Sequence, residues 1–375
     1  MKVKLLTRTA MGPDLWQAYT ALRNADAAYD DPFFDPEFAS LVSEVRSDTR
    51  FAIAEDAEGL LAVWPMHLRP GQWARPIGGP FSDWHAPIVR RAAVFDPEVF
   101  LAALDVSGFT AFGYKPEGLD ALSLANRVGA NMTDLNGSFD TYIAEQQRRW
   151  PKHFKKMRRL YRNVERDFSE RHFTWNDPRD ATVETLFALK RAQFSRTGFH
   201  DVLKPEWARQ LLDRLRHHES PRLRLQVVSL YYEDQFAAAE MNLVSDTIMH
   251  GWLTAFDQAL GVYSPGNMLV QDMLSEMPAH GLMTYDQGPG LDHYKRHYAT
   301  YQIPVDSGVI RGKRDSWAPS RLTGHLWRRG EAVLPGKVAG LMARARRRMD
   351  QIALAETSQT ARMAGVVTAL SQREV

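Results

Sequence analysis

The chain has 375 residues, of which 44% are hydrophobic and 25% charged, with 24 Gly, 20 Pro and no Cys. This length predicts about two domains that each bury a core, and the composition excludes collagen-like and wholly disordered chains. The lack of cysteine excludes disulfides, thiol nucleophiles and iron–sulfur clusters, and fits a reducing compartment. No apolar run reaches about 18 residues and no signal peptide is visible, so we expect a cytoplasmic protein.

The net charge of +2 conceals two basic segments. Gln146–Arg171 carries ten basic and three acidic residues, a net charge of +7, and residues 316–375 carry ten and four, a net charge of +6. The rest of the chain therefore has a net charge of −11. Two basic segments on an acidic body favour contacts with polyanions at defined places.

Residues 1–145 predict a first α+β unit. Hydrophobic periodicity and turn residues indicate three helices, a hairpin and a short strand. In chain order these are a helix over Asp14–Tyr29, the hairpin strands Phe51–Glu55 and Leu60–Leu68, a helix over Pro97–Leu104, a strand over Ala111–Tyr114 and a helix over Leu119–Val128.

Residues 146–172 predict a basic connecting helix. Its apolar residues recur at alternating spacings of four and three, which forms one stripe along a helix; they are Trp150, Phe154, Met157, Tyr161, Val164 and Phe168. Pro151 is compatible with the start of such a helix, where its missing N–H is not needed. The basic opposite side has two open interpretations: a solvated surface, or a face that meets an anionic substrate.

Residues 173–315 predict a second unit with the same order of elements as the first. The expected elements are helices over Thr182–Thr197 and Lys204–His218, strands over Leu223–Tyr232, Phe236–Val244 and Ile248–Phe256, a helix over Met268–Met277 and a strand over Leu282–Asp286. The short polar turns between the three strands are typical of hairpins. The repeated order predicts an α+β fold of two units in tandem, with mixed sheets flanked by helices.

The start of the helix after the third of these strands is a candidate anion site. Ser264 fits the N-cap position, Pro265 the first helical position, and Gly266 lets an anion approach the bare N–H groups. Further on, Asp286 ends a strand in a Gly-rich turn and Lys295 follows it. A carboxylate there can accept a proton from an amine or orient a sugar hydroxyl, and capping of the turn is an equally open interpretation.

The C-terminal segment, residues 316–375, predicts a basic helical tail. Helices are expected over Ser320–Arg329 and Lys337–Leu354, with several clustered arginines. Beyond Glu356 the composition is compatible with either a loosely packed helix or disorder. The sequence has no nucleophile elbow, Walker A loop, dinucleotide-binding glycine motif or zinc-protease motif, and we predict no metal site.

Residues 150–304 resemble a known family in the order and spacing of several short motifs. These are Lys152–Arg159, Gln193-Phe194, Phe236–Ala239, Ala255–Asp257, Ser264–Gly266, Tyr285–Gly288 and Tyr294-Lys295, preceded by the segment Asp31–Phe38. Together they resemble the GNAT-superfamily acetyltransferases of cellulose and exopolysaccharide biosynthesis (the CelD/BcsL type), which are distant relatives of the FemAB-like aminoacyl transferases. The resemblance covers roughly residues 10 to 310. The loop Gly261–Gly266 stands in place of the usual Q/R-x-x-G-x-G/A loop of GNAT enzymes.

The resemblance implies tandem GNAT-like domains and an N-acyltransferase that uses acyl-CoA, normally acetyl-CoA, to modify an amino sugar of an exopolysaccharide or its precursor. It places the cofactor at Ser264, Pro265, Gly266 and Asn267, with Phe256 on the adjoining strand. The candidate catalytic residues are Asp286, Glu240, Tyr294 and Lys295, and His250 is a third candidate base whose alternative identity is a core histidine. The N-terminal unit contains no counterpart of the Ser264-Pro265-Gly266 motif, so we expect it to bind no cofactor.

Two other functions remain open on sequence alone. The basic helix also fits a FemAB-like transferase that uses aminoacyl-tRNA, because phosphates dominate nucleic-acid affinity. The tail also fits a regulatory protein that binds cyclic di-GMP, because guanidinium groups pair with phosphates and stack on guanine; the arginines concerned are Arg321, Arg328, Arg329, Arg344, Arg346, Arg347 and Arg348. A solvated helix or a contact with an anionic membrane are further interpretations of the same tail.

Overall fold

The computed structural model describes residues 1–115, 124–289, 295–312 and 336–371. Within these ranges thirteen strands form a single mixed sheet. They are β1 (Lys2–Leu6), β2 (Thr49–Asp56), β3 (Gly59–Arg69), β4 (Trp73–Pro76), β5 (Ile88–Val89), β6 (Gly108–Tyr114), β7 (Leu124–Asp134), β8 (Arg171–Thr174), β9 (Arg224–Tyr232), β10 (Gln235–Val244), β11 (Ile248–Phe256), β12 (Thr284–Pro289) and β13 (Tyr301–Arg311).

The helices of the described ranges flank this sheet. They are α1 (Pro13–Asn24), α2 (Pro36–Val45), α3 (Pro97–Ala103), α4 (Phe139–Arg149), α5 (Pro151–Asp167), α6 (Asp180–Thr197), α7 (Glu206–Arg216), α8 (Pro265–Glu276), α9 (Lys295–Tyr298), α10 (Gly336–Ala355) and α11 (Gln359–Ser371). The predicted α+β class, with a mixed sheet flanked by helices and a helical tail, is confirmed.

The two halves of the chain exchange strands. The sheet order is β1-β2-β3-β4-β6-β13-β7-β12-β11-β10-β9-β8, with β5 paired to β3. Strand β7, from the first half, pairs with β12 of the second half, and β13 returns to lie between β6 and β7. The tandem units therefore share one continuous sheet, in which backbone hydrogen bonds join the two halves.

The helix expected over Leu119–Val128 was wrong. From Leu124 onward the chain is strand β7, whose neighbours β13 and β12 pair with it on both sides. Residues 119–123 lie outside the described ranges. Pairing along both edges decides the conformation here, because β-structure depends more on neighbouring strands than on local propensity.

The predicted basic helix is two helices. Helix α4 ends at Arg149, the next residue Trp150 has a backbone (φ −127°, ψ 55°) that is not helical, and Pro151 begins α5 in the first helical position. Helix α5 ends at Asp167, and Arg171 already belongs to strand β8. The predicted stripe packs inward, with Phe154, Met157 and Val164 buried, together with Leu160.

Each face of the sheet packs against its own helices. On β10 the side chains of Ala239, Met241 and Leu243 belong to one buried cluster, which includes residues of α6 and α7. Ala238 and Val244 point the other way, into a second cluster with residues of α5 and α8. Successive strand residues point to opposite faces, so β10 is buried on both.

The tail is anchored by the end of α10. Its last carbonyl groups accept hydrogen bonds from Arg46 (to Leu354 O, 3.1 Å), Arg69 (to Ala353 O, 3.1 Å) and Trp207 (to Ala355 O, 2.8 Å). These donors satisfy carbonyls that a helix end leaves without internal partners. The helix predicted over Lys337–Leu354 is confirmed, whereas Ser320–Arg329 lies outside the described residues.

Candidate functional site

Strands β11 and β12 run in parallel and then part. Ile248, Met249 and His250 pair with Thr284, Tyr285 and Asp286, and this pairing ends there although β11 continues to Phe256 and β12 to Pro289. Strand β11 also carries a bulge, because Met241 and Asn242 of β10 oppose Leu253 and Gly251 and so skip Trp252. Two parallel strands that separate leave a wedge with unpaired backbone groups on the facing edges.

The wedge leads to the start of α8. A short 3₁₀ turn, Gln258–Tyr263, connects β11 to Ser264, which holds a left-handed backbone (φ 55°, ψ 54°) just before Pro265. The Ser264 carbonyl accepts the first helical bonds from Asn267 N and Met268 N. Ser264 thus occupies the predicted N-cap position, although its side chain makes no capping hydrogen bond. A non-glycine residue in this backbone region is uncommon and marks a strained turn.

The five residues predicted to hold the cofactor lie together. The Phe256 side chain, 37% exposed, lies beside this turn, and its ring is 3.8 Å from the position a Cβ on Gly266 would take. That is ordinary van der Waals contact, so Gly266 leaves the helix start accessible. The helix dipole and the first N–H groups make such a start favourable for an anion.

Glu240 is buried in the middle of β10. Its carboxylate accepts hydrogen bonds from Thr254 Oγ1 (2.5 Å) and Tyr285 Oη (2.7 Å). Burial raises the pKa of Glu240 above its usual range, and the two hydroxyl donors only partly oppose that effect. A Cβ on Gly251 would lie 2.4 Å from Tyr285 Oη, so this glycine allows the tyrosine to cross β11 and reach the carboxylate.

Asp286 lies on the other face of the sheet and is itself fully buried, within a network of charged groups. It accepts hydrogen bonds from Trp84 Nε1 (2.6 Å) and Gly288 N (2.7 Å) and lies 3.3 Å from His250 Nδ1. Burial alone would raise the pKa of Asp286, but the charge of His250 holds it well below its usual range. Burial would likewise lower the pKa of His250, but Asp286 and Asp83 outweigh it and raise that pKa to about 10.

The N-terminal half supplies the rest of this network. His250 Nε2 lies 2.9 Å from Asp83 Oδ2, and Lys115 Nζ donates to Asp31 Oδ2 at 3.1 Å. Of the carboxylates of Asp31, Asp83 and Asp286, only that of Asp83 is partly exposed, at 32%. Every predicted site residue lies in the second half of the chain, so Asp31, Asp83 and Lys115 were not predicted. The segment around Asp31 carried a signal through its resemblance, whereas Asp83 and Lys115 carried none.

Three of these groups also have the arrangement of metal ligands. One ligand atom each of Asp31, His250 and Asp286 lies within 4.8 Å of the others. Lys115 Nζ is 3.1 Å from Asp31 Oδ2 and 4.0 Å from Asp286 Oδ2, so its ammonium group already supplies a positive charge between the carboxylates. Asp286 and Asp83 raise the pKa of His250, so a metal ion would have to displace a proton from this imidazole in order to bind it. The expectation of no metal stays a prediction.

Of the remaining predicted site residues, Lys295 Nζ donates to the carbonyl of Gln287 at 2.7 Å and so holds the separated end of β12. Tyr294 lies outside the described residues.

The arginines predicted to bind cyclic di-GMP lie in the tail. Arg321, Arg328 and Arg329 are outside the described residues, and the side chains of Arg344 and Arg347 are not described. Arg346 and Arg348 lie on α10. Binding of cyclic di-GMP stays a prediction. In the described ranges, no helix is both long and apolar enough to cross a bilayer.

Comparison with known proteins places the wedge and α8 inside a recognised domain. Residues 151–296 match the model of the acetyltransferase (GNAT) domain family. Among curated proteins no match is found. The match covers β8–β12 and α5–α8, which are the elements that carry the wedge, Glu240, Asp286 and the start of α8.

Solved structures with a similar chain course share little sequence. FemX is 11% identical, with a TM-score of 0.48, over 82% of this chain and 96% of its own. A tandem GNAT protein from the clavulanic acid biosynthesis pathway is 10% identical, with a TM-score of 0.47, over 83% and 98%. The C-terminal domain of a putative lysylphosphatidylglycerol synthetase from Agrobacterium fabrum is 13% identical, with a TM-score of 0.41, over 79% and 92%.

Proposed function

We propose that this chain, whose residues 151–296 form a GNAT-type acyltransferase domain, transfers an acetyl group from acetyl-CoA to the amine of an amino sugar in an exopolysaccharide or its precursor. The observation that carries the proposal is the wedge between β11 and β12, which runs directly into the open helix start at Gly266. The amino-sugar acceptor is supported by the motif resemblance to polysaccharide acetyltransferases.

Two parts of the donor, its diphosphate and its pantetheine arm, bind at different places. The diphosphate of acetyl-CoA binds at Ser264–Asn267, where the positive end of the helix dipole favours negative charge and Gly266 lets an anion approach closely. The pantetheine arm lies in the wedge, where backbone groups of β11 beyond His250, which no longer pair with β12, can take its amides. A strand N–H near the bulge polarises the thioester carbonyl, which lowers the barrier to attack.

Glu240 is the proton acceptor in this proposal. Its raised pKa brings it closer to that of an amine, which favours general base catalysis near neutral pH. Tyr285 Oη, which donates to Glu240, relays the proton from the amine. The amine nitrogen then forms the C–N bond, the C–S bond breaks, and the departing thiolate takes up a proton.

Asp286 and Lys295 act by positioning. Asp286 is surrounded by donors and stays ionised, so it is a weaker base than Glu240 and serves to hold His250 and Trp84 beside the wedge. Lys295 holds the free end of β12 through the carbonyl of Gln287. Tyr263 and Tyr294 are the candidates that protonate the departing thiolate.

Binding of acetyl-CoA, measured by calorimetry, tests the donor. Gly266→Asp places a carboxylate at the proposed diphosphate position, and like-charge repulsion should raise the Kd by roughly tenfold or more. Gly12→Asp is the matched control, because Gly12 also lies at an uncrowded helix start, as the N-cap residue of α1. Absence of binding by the wild type would contradict the proposal, and so would equal binding by the Gly266→Asp variant.

The acceptor is tested separately by release of free CoA thiol. Oligosaccharides of glucosamine should stimulate thiol release, and their N-acetylated counterparts should not, because the acetylated nitrogen is no longer a nucleophile. Thiol release that is equal with both would exclude an amino sugar as acceptor and leave donor binding intact.

A further inference from the structure

The outer face of α5 is strongly basic and takes no part in packing. Seven cationic side chains on it are exposed, namely Lys152, Lys155, Lys156, Arg158, Arg159, Arg162 and Arg166. Two exposed acids, Glu165 and Asp167, share the helix, and Asp167 pairs with Arg166 at 2.7 Å. The exposed charged side chains of α5 therefore sum to +5.

Three of these cations lie in one line along the helix. Lys152, Arg159 and Arg166 are seven residues apart, close to two helical turns, so they lie on one face and span about 21 Å at 1.5 Å per residue. The buried residues of α5, such as Phe154 and Met157, hold the opposite side of the helix in the core. The backbone that carries the line is consequently held in place before any partner binds, which lowers the entropic cost of association.

The line begins beside the proposed donor site. His153 Nε2, in the first turn of α5, lies 3.5 Å from Tyr298 Oη, and the same hydroxyl donates to the carbonyl of Asn267 in the first turn of α8. About two turns further along α5, Tyr161 Oη donates to Asp272 of α8 at 3.0 Å. Helix α5 thus packs along the helix whose start would receive the phosphate of the donor.

We propose that the acyl donor of this enzyme is also delivered by an acidic carrier protein, which bears the acyl group as a thioester on a phosphopantetheine arm. This rests on the proposed function, since the arm is the part that such a protein shares with CoA. The negative charges of coenzyme A all lie on the phosphates of its nucleotide end, so it can pair with only part of a line of cations about 21 Å long. An acidic helix of a carrier protein is of the right length and opposite charge.

Two other polyanions fit the surface less well. Readers of single-stranded RNA stack bases on exposed aromatic rings, and none of the exposed side chains of α5, which is described throughout, is aromatic. Helices that adsorb to bilayers insert their apolar face into the lipid, whereas the apolar face of α5 is buried in the core. A folded acidic protein can bind to a charged surface without exposed aromatic rings and without insertion of an apolar helix face.

The chemical step is the one already proposed. The amine nitrogen attacks the thioester carbonyl, a C–N bond forms and the C–S bond breaks. The amine loses one proton, and the thiolate of the carrier's phosphopantetheine arm gains one. The carrier protein leaves with a free thiol.

The test compares the binding of two donors, an acetylated carrier protein and acetyl-CoA, to the wild type and to two double variants. An acetylated acyl carrier protein with a fluorescent label is titrated with the wild type, with Lys155→Glu/Arg159→Glu on α5, and with Lys204→Glu/Arg209→Glu at α7 as the control. The control residues are exposed and have the same charges. We expect the Kd for the carrier protein to rise by roughly tenfold or more in the α5 variant only, and binding to weaken with added salt.

Acetyl-CoA binding by the same proteins separates the two proposals. If the wild type binds acetyl-CoA but not the carrier protein, or if the α5 variant binds the carrier protein as well as the control does, the carrier proposal is overturned and the acyl-CoA function stands. If labelled tRNA binds through α5 and the carrier protein does not, the surface is a nucleic-acid site instead. If acetyl-CoA itself does not bind, the proposed function fails first.

Thermal melting of the three proteins shows whether each variant folds. A single Arg159→Gln substitution, which removes one charge without reversing it, provides a milder variant. It should weaken binding of the carrier protein less than the double reversal, and an unchanged Kd in both variants would contradict the proposal.

Discussion

Trp84 Nε1 donates a 2.6 Å hydrogen bond to Asp286 Oδ2, and both side chains are fully buried although they come from opposite halves of the chain. The bond joins the N-terminal half to the strand position at which β11 and β12 part. The first half, in which no site residue was predicted, therefore holds one of the predicted catalytic residues in place.

Loss of this bond should destabilise the fold. Trp84→Phe leaves the buried Asp286 carboxylate without one donor, which costs about 1–3 kcal/mol in addition to the lost packing. Trp64→Phe is the matched control, because Trp64 is equally buried but its Nε1 has no hydrogen-bond partner among the described residues. Urea denaturation should show a clearly larger loss of stability for Trp84→Phe. Equal losses would mean that the hydrogen bond contributes nothing.

The protonated state of His250 should make stability depend on pH. Its pKa is raised from 6.5 to about 10 by Asp286 and Asp83, against the effect of burial. Below the unfolded-state value of 6.5 this contribution is fully present, and it falls as the pH rises through about 10, where the folded state loses the proton.

The measurement is the unfolding free energy between pH 6 and pH 10 for the wild type and for His250→Gln. The difference between the two proteins should shrink as the pH rises. A constant difference across this range would show that His250 is neutral in the folded state.

Glu240→Gln should separate catalysis from binding. The amide keeps the size of the side chain but cannot accept a proton, so kcat should fall by roughly a hundredfold or more while the Kd for acetyl-CoA stays unchanged. Asp286→Asn, in the positioning role, should instead lower stability. Full turnover by a folded Glu240→Gln variant would exclude Glu240 as the base.

The pH profile of the wild type gives an independent check on Glu240. A base works only when deprotonated, and burial raises the pKa of Glu240. Activity should therefore fall on the acidic side at a pH above the usual glutamate range, and Glu240→Gln should abolish that limb. An acidic limb that stays in place in the variant belongs to another group.

Arg69→Ala should loosen the C-terminal tail. Arg69 donates to Ala353 O and Glu356 O at the end of α10 and pairs with Asp48 at 2.7 Å. Without it these carbonyls lose a donor, and limited proteolysis should cut the tail faster than in the wild type. Arg90→Ala, which breaks an arginine–aspartate pair with Asp56 on the β2–β3 hairpin, is the control. Equal cleavage rates in both variants would contradict the anchoring role.

Local signals in the sequence were sufficient for the elements that flank the site. The alternating spacing of Phe154, Met157 and Val164 determined which side of α5 is buried, because an apolar stripe must face the core. Ser264 and Pro265 determined where α8 begins, since proline is favoured at the first helical position. The three strands β9, β10 and β11 followed from β-branched runs separated by short polar turns.

Tertiary structure alone decided the contacts between distant segments. Strand β7 was predicted as a helix and β13 was not anticipated, because each is defined by its pairing with strands far along the chain. The network that joins Asp83, Lys115 and Asp286 likewise depends on the shared sheet. Helical periodicity and capping act within a few residues and are visible in a sequence, whereas strand pairing and buried charge networks are set by which distant segments meet.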